Sequence, residues 1–262
     1  MARHAIITSF DHAQLPGVTV SGGAWKTNLP ATNIFKIQPQ LVAMADSTSV
    51  SFTINLGGTK PIDMVHLQRL VTGVSGTIRV RFGTFDSGSV NSWATDSFGI
   101  YPSLLYAALG RPRVFISPTQ QSASQVLIDV TAGSGNIQIG YVGVCQALEM
   151  PQDMLIGNIL TPTDESDVQI IPQGSTYITL RGKRRKLDFG MPPLREDNQD
   201  FYNFFDLVVV NGKSSPVVVS KFPDDTFNLE RNTIWGFLST DAQFANAFYA
   251  HSNSTYQITQ AI

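Results

Sequence analysis

The chain has 262 residues, 42% of them hydrophobic and only 15% charged, with a net charge of −2 at pH 7. Soluble domains usually carry about 25% charged residues; hydroxyls, amides, glycine and proline take their place here, as in loop-rich β proteins. This length suits one large or two ordinary domains, and the balanced charge gives no global field for nucleic acid or an anionic membrane.

In chain order, the opening Met1-Ala2-Arg3-His4-Ala5-Ile6-Ile7-Thr8 is too short in apolar length for a signal peptide. Residues 49–56 then alternate strictly, with Val50, Phe52, Ile54 and Leu56 opposite Ser49, Ser51, Thr53 and Asn55. That period of two predicts a strand with one buried face. Gly57-Gly58 reads as a break, Pro61 as the start of a second strand over 62–70, and Gly76 as the lead into a third with Ile78, Val80 and Phe82 inward. Three strands joined by short glycine-bearing turns predict a meander. Residues 86–110 are less regular, with a short helix expected over 103–109. Strands follow at 114–116, 125–130 and 136–144. The single cysteine, Cys145, ends the apolar run that starts at Tyr141 and reads as a small buried thiol. With no disulfide and no leader, synthesis in a reducing cytoplasm is expected, and no run approaches the roughly 18 apolar residues of a membrane helix.

Between 147 and 163 the pattern stops, and Met150-Pro151 and Thr161-Pro162-Thr163-Asp164 read as turns. The domain boundary is placed there, giving domains 1–150 and 151–262. The second domain predicts strands at 167–171, 175–181, 187–191, 216–221, 233–238 and 256–259. Its one helix, over about 195–210, carries Phe201, Phe204, Phe205 and Val208 at helical spacing, with Glu196 and Asp197 in the first turn. The fold class read from this pattern is mainly β: two sandwich-like domains, the second with one helix.

Two signatures in the first domain are familiar. One is Trp25, then Leu29-Pro30-Ala31-Thr32-Asn33-Ile34, then the strand ending Asn55-Leu56-Gly57-Gly58; the other is Asn136-Ile137-Gln138-Ile139-Gly140-Tyr141. Together, over residues 20–147, they resemble discoidin-like, galactose-binding-type jelly rolls. In the second domain, Ser175-Thr176-Tyr177, Leu187-Asp188-Phe189, the aromatic helix, Ser215-Pro216-Val217-Val218-Val219 and Thr233-Ile234-Trp235-Gly236 occur in an order that resembles minor tail, tail-tip or baseplate proteins of long-tailed bacteriophages. That resemblance implies a virion component near the distal end of a tail, made in the host cytoplasm. Its partners would be copies of itself and other tail proteins, with host-surface glycan as a further ligand. The alternative reading is a carbohydrate-binding module or host-surface adhesin.

The residues show no catalytic signature. His4, His12, His66 and His251 lack metal-ligand spacing, no G-x-S-x-G elbow occurs, and Asp164-Glu165 and Asp224-Asp225 lie in turn-like sequence. No enzyme activity, metal or cofactor is expected, and the glycines at 133 and 135 precede a strand, which excludes a phosphate loop. The sharpest feature is Arg181, Lys183, Arg184, Arg185 and Lys186, five cations in six positions, read as a hairpin tip that contacts an acidic partner, with a solvated tip that resists edge-to-edge aggregation, or DNA passing nearby, as the alternatives. Trp93 and Tyr101, near Arg111 and Arg113, are candidates for a glycan or subunit contact, because sugars stack on aromatic faces and ligands of such jelly rolls sit in loops at one end. Trp25 and Trp235 read as core anchors.

Overall fold

The computed structural model describes residues 3–8, 11–38, 40–72, 76–91, 111–150, 159–164, 167–170, 176–179, 183–195, 199, 202, 206, 215–226, 229–239, 243–248 and 251–261. The protein is mainly β, built from antiparallel sheets. Two compact units divide the chain: Phe10–Ala147 forms one, and Met1–Ser9 joins Leu148–Ile262 in the other. The sequence reading gave the first nine residues to the first domain. They leave it because strand β1 (Ile6–Thr8) pairs antiparallel with Leu148–Glu149 on one side and Val217–Ser220 on the other. A three-residue strand carries too little alternation to reveal such distant partners.

In the unit of Phe10–Ala147 the strands are β2 (Thr19–Ser21), β3 (Ala43–Met44), β4 (Ser49–Leu70), β5 (Gly76–Phe82), β6 (Phe85–Asp86), β7 (Val90–Asn91), β8 (Arg111–Ala132), β9 (Gln138–Ile139) and β10 (Tyr141–Cys145). The main sheet runs β10-β4-β8-β5-β6, with β2 on β4 and β7 on β5. The expected break at Gly57-Gly58 is instead a register shift between Asn55 and Lys60 within one 22-residue strand. Gly57 accommodates it at φ 71, a conformation that only glycine adopts freely. The expected meander is also absent: β4 and β5 both pair with β8, which follows them in sequence. Alternation tells which face is buried, not which strand is next door. One apolar core draws on both halves of the long strands, with Val50, Phe52 and Ile54 before the shift in β4 and Val65 and Leu67 after it. Val126, Ile128, Val142 and Val144 join them.

The second unit holds β11 (Leu148–Glu149), β12 (Ile159–Asp164), β13 (Asp167–Ile170), β14 (Thr176–Thr179), β15 (Lys183–Arg195), β16 (Val217–Ser220), β17 (Thr233–Leu238), β18 (Gln243–Phe248) and β19 (His251–Gln260). Its large sheet runs β11-β1-β16-β17-β19-β15-β12, with β18 on β19. Residues 161–164, read as a turn, belong to β12; Pro162 is tolerated because β12 ends the sheet, where a missing backbone donor breaks no ladder. Ile7, Leu187, Phe189, Val217, Val219, Ile234, Tyr256 and Ile258 form the core of this unit, with the rings of Phe189 and Tyr256 stacked at 5.2 Å. Of the helix expected over about 195–210, Arg195 ends β15 instead, Gln199 and Tyr202 are helical, and most of the remainder lies outside the described residues. A four-residue helix, Leu229–Asn232, leads into β17. The helix expected over 103–109 also lies outside the described residues. Among the described residues no helix is long and apolar enough to cross a membrane.

Candidate functional site

Strand β10 ends its sheet, so its outward backbone groups need partners other than a strand. Asp11 supplies one. Its Oδ1 accepts from Val144 N at 2.9 Å and, as the cap of the short 3-10 turn His12–Gln14, from Ala13 N at 2.8 Å. Its Oδ2 accepts from the Tyr141 hydroxyl, which Gln14 Nε2 also reaches at 3.2 Å. Three residues beyond Val144, Ala147 N donates to Asp63 Oδ1 at 2.6 Å. Carboxylates thus fasten both the chain entering the sandwich and the chain leaving it.

Next to Asp11 lie His66 of β4 and Cys145 of β10; one ligand atom from each falls within 4.8 Å of the others. His66 stands directly across from Gly143 and tilts against Tyr141 with centroids 5.7 Å apart. The Gln68 amide lies 3.0 Å from its Nδ1. Burial dominates the electrostatics. It pushes the Asp11 carboxyl up to about 6 against the lowering effect of its three hydrogen bonds. It pulls His66 down to about 3 and drives the Cys145 thiol well up, helped by the charges of Asp11 and Asp63. A cysteine nucleophile needs the reverse, a lowered thiol beside a histidine that takes its proton. This cluster therefore holds a neutral thiol and a neutral imidazole, and not an activated dyad.

No spacing motif could find this constellation, because Asp11, His66 and Cys145 belong to three separate elements. One signal was available: Gly143 inside an otherwise apolar strand marks a close approach by another group. The remaining histidine of the unit that is buried, His12, places Nε2 2.7 Å from the Pro61 carbonyl.

The described part of the basic run, Lys183 to Lys186, is strand and not a hairpin tip. From Lys183 onward it lies in β15, with Lys183, Arg184, Arg185 and Lys186 opposite Asp164, Thr163, Pro162 and Thr161. Leu187 and Phe189, which follow in the same strand, are buried. Arg185 is a structural residue: its Nε reaches Gln260 Oε1 at 3.1 Å, and its terminal nitrogens donate to the carbonyls of Glu230 at 3.3 Å and Thr233 at 2.9 Å. Arg184 and Lys186 are half-buried, and Arg181 lies outside the described residues.

Trp93 and Tyr101 also lie outside the described residues. Arg111 pairs with Leu70 at the start of β8; Arg113, opposite Leu67, is buried at 9% exposure. Trp25 meets Phe52 edge-on at 5.4 Å and donates its indole N–H to Gly22 O, and Trp235 is 2% exposed, so both anchor cores. The outward face of β2, β4, β5 and β8 is polar, carrying Thr19, Ser21, Ser51, Asn55 and Gln125. Its ions are paired: Arg81 meets Asp129 at 2.6 Å, Ser51 donates to the same carboxylate, and the Arg79 guanidinium spans Asp86. The pairing with Arg79 holds the Asp86 carboxyl well below the usual carboxylate range.

No protein-family model matches the chain, and no curated protein matches it in sequence. Solved structures do match. CpGH89CBM32-6, produced by Clostridium perfringens, aligns over 52% of this chain and 99% of its own at 12% identity and a TM-score of 0.37. The family 32 CBM from C. perfringens NanJ, in complex with galactose, covers 53% of this chain and 98% of its own at 11% identity and a TM-score of 0.38. A Ruminococcus gnavus GH29 fucosidase in complex with fucose covers 53% of this chain but only 27% of its own, at 16% identity and a TM-score of 0.41. At scores below 0.5 these likenesses carry no argument about what the chain binds.

Proposed function

We propose that the chain is a non-enzymatic structural subunit of a bacteriophage tail tip or baseplate, with a recognition module set into an assembly scaffold. The observation that carries this reading is topological. The whole unit Phe10–Ala147 is inserted between two strands of the other unit, β1 and β11, which pair with Ile7 opposite Leu148. An insertion whose ends lie side by side in a sheet adds a function to its host without interrupting the host's core. The scaffold keeps its own core from Ile7 to Ile258, and the order of motifs in it resembles tail proteins. The inserted sandwich, whose polar outer face carries its arginines and aspartates in neutralising pairs, is the part suited to a neutral ligand such as host-surface glycan.

The self-contained core of Phe10–Ala147 favours a second reading, a carbohydrate-binding module or adhesin acting without assembly. Light scattering and a glycan array on the full chain separate the two. The first reading expects a closed oligomer that persists when residues 10–147 are replaced by a two-residue turn between Ser9 and Leu148. A monomeric full chain that still binds sugar would select the second. A monomer that binds none defeats both.

A further inference from the structure

We propose that the Asp11 carboxyl is a proton-operated clasp, which tightens the join between the entry turn and the exit strand of the sandwich in mild acid. Asp11 pairs with Cys145 of β10 as an isolated bridge, so the chain entering the sandwich meets the chain leaving it there. Its carboxyl holds both: Ala13 N in the turn, and Val144 N and the Tyr141 hydroxyl in β10. All three donors are neutral.

The groups that face it from each packed element supply no counter-ion. His12 of the turn gives Nε2 to the Pro61 carbonyl; burial and then Lys60 lower its imidazole, against that bond. From β10 come Tyr141 and Cys145, both kept protonated by burial. From β4 come His66, which burial keeps neutral, and Asp63, a second carboxylate. A carboxylate withdrawn from water without a cation is costly, and taking up a proton removes that cost. Asp11 as a residue keeps partial exposure, so the proton exchanges with solvent. Oδ1 already accepts two N–H groups, so the proton goes to Oδ2. Tyr141 then turns from donor to acceptor, its oxygen having two lone pairs of which the Gln14 amide uses one.

Burial lifts the Asp11 carboxyl to about 6, against about 3.9 in an unfolded chain. A raised carboxyl holds its proton more tightly when folded. Between about pH 7.5 and about pH 5 this group therefore raises the folded-to-unfolded ratio roughly tenfold, and above its folded value the gain is gone. His66 and His12, lowered on folding, take protons more readily in the unfolded chain and act with the opposite sign. The contribution of Asp11 is thus read as a difference between wild type and Asp11→Asn, which keeps a side-chain oxygen for the two N–H groups.

The test uses the full chain. The Asp11 carboxyl ¹³C resonance, assigned through its own backbone, should titrate with a midpoint near about 6. Protection of the Val144 N–H against exchange, corrected for the intrinsic pH dependence of the exchange step, should rise roughly tenfold from about pH 7.5 to about pH 5 in wild type relative to Asp11→Asn. Tyr141→Phe removes a donor that favours the ionised form, so the midpoint should move up. An Asp11 carbon that titrates below about 4.5 overturns the proposal, as does protection that changes equally in wild type and Asp11→Asn. Should a variant fail to fold, the wild-type carbon titration decides by itself.

Discussion

Gly143 makes the packing of β10 against β4 testable by a single methyl group. A Cβ at this position would lie 2.7 Å from His66 Cε1 and 2.8 Å from Cδ2, with Nε2 nearer still, whereas real Cβ contacts essentially never fall below 3.0 Å. The backbone at Gly143 has no positive φ, so space is the whole reason for glycine. The ring cannot simply step aside, being 1% exposed and held by Gln68 at 3.0 Å. Overpacking of this kind costs about 1–3 kcal/mol. Losing the bond to Gln68 adds about 1 kcal/mol. Gly143→Ala should therefore destabilise the chain by about 2–4 kcal/mol in urea titration. In a His66→Ala background the obstacle is gone, and the same change should cost under about 1 kcal/mol, a coupling of about 2 kcal/mol. Gly236→Ala is the control, because its Cβ meets backbone, 2.6 Å from Thr259 C and 2.9 Å from Gln260 Cα, and no side-chain truncation relieves it. Equal cost of Gly143→Ala in both backgrounds would refute the reasoning.

The other predictions concern charges. Arg185→Met removes three hydrogen bonds from a charged donor and should cost about 2–3 kcal/mol, read as a lower urea midpoint at unchanged slope. Lys183→Glu with Arg184→Glu sets a carboxylate opposite Asp164 and should lower that midpoint slightly, by under about 1 kcal/mol, while weakening self-association, measured by light scattering at matched concentration. Arg3 holds the Asp224 carboxyl below its ordinary value through a backbone and a side-chain hydrogen bond, both at 2.7 Å. A depressed carboxyl contributes stability above its unfolded pKa of about 3.9 and loses it as pH falls through the folded value. The opening free energy of β1, from amide exchange corrected for the intrinsic pH dependence of the exchange step, should thus fall below about pH 4 in wild type more than in Asp224→Asn, by under about 1 kcal/mol because the pair is partly exposed.

Much of the fold was legible because burial repeats locally. The alternation from Val50 to Leu56, the inward Ile78, Val80 and Phe82, and the pair Leu187 and Phe189 all face cores. What failed to show was partnership. Nothing near Ile7 in sequence announces Val219, and nothing near Val50 announces Val130, because register is chosen by long-range closure of the sheet. The site was less legible still. Asp11 accepts from Val144 N and from the Tyr141 hydroxyl, each more than a hundred residues away, and such contacts leave no spacing behind. The basic run misled for a related reason: charge density suggested solvent, while Arg185 satisfies carbonyls at the start of β17.

That use of charge bears on what the outer surface offers a ligand. The chain has 18 basic and 20 acidic residues, and several of them are committed internally: Asp11, Asp63 and Arg185 to hydrogen bonds within their units, Arg79, Arg81, Asp86 and Asp129 to one another. The outward face of the sandwich is left with hydroxyls and amides and with ions already neutralised in pairs. A ligand docking there gains no net Coulomb attraction, and hydroxyl-rich polymers fit it better than anionic ones. The contacts proposed for Lys183, Arg184 and Lys186 on the other unit are of the opposite kind, since their charge is screened over about 8–10 Å at physiological salt. The two proposed activities should therefore separate by ionic strength. Raising salt from about 0.05 to 0.5 M should weaken self-association several-fold while glycan affinity on the array changes less than about twofold. Glycan binding that collapses with salt would place the ligand on the cationic strand instead and remove the sandwich face from the argument.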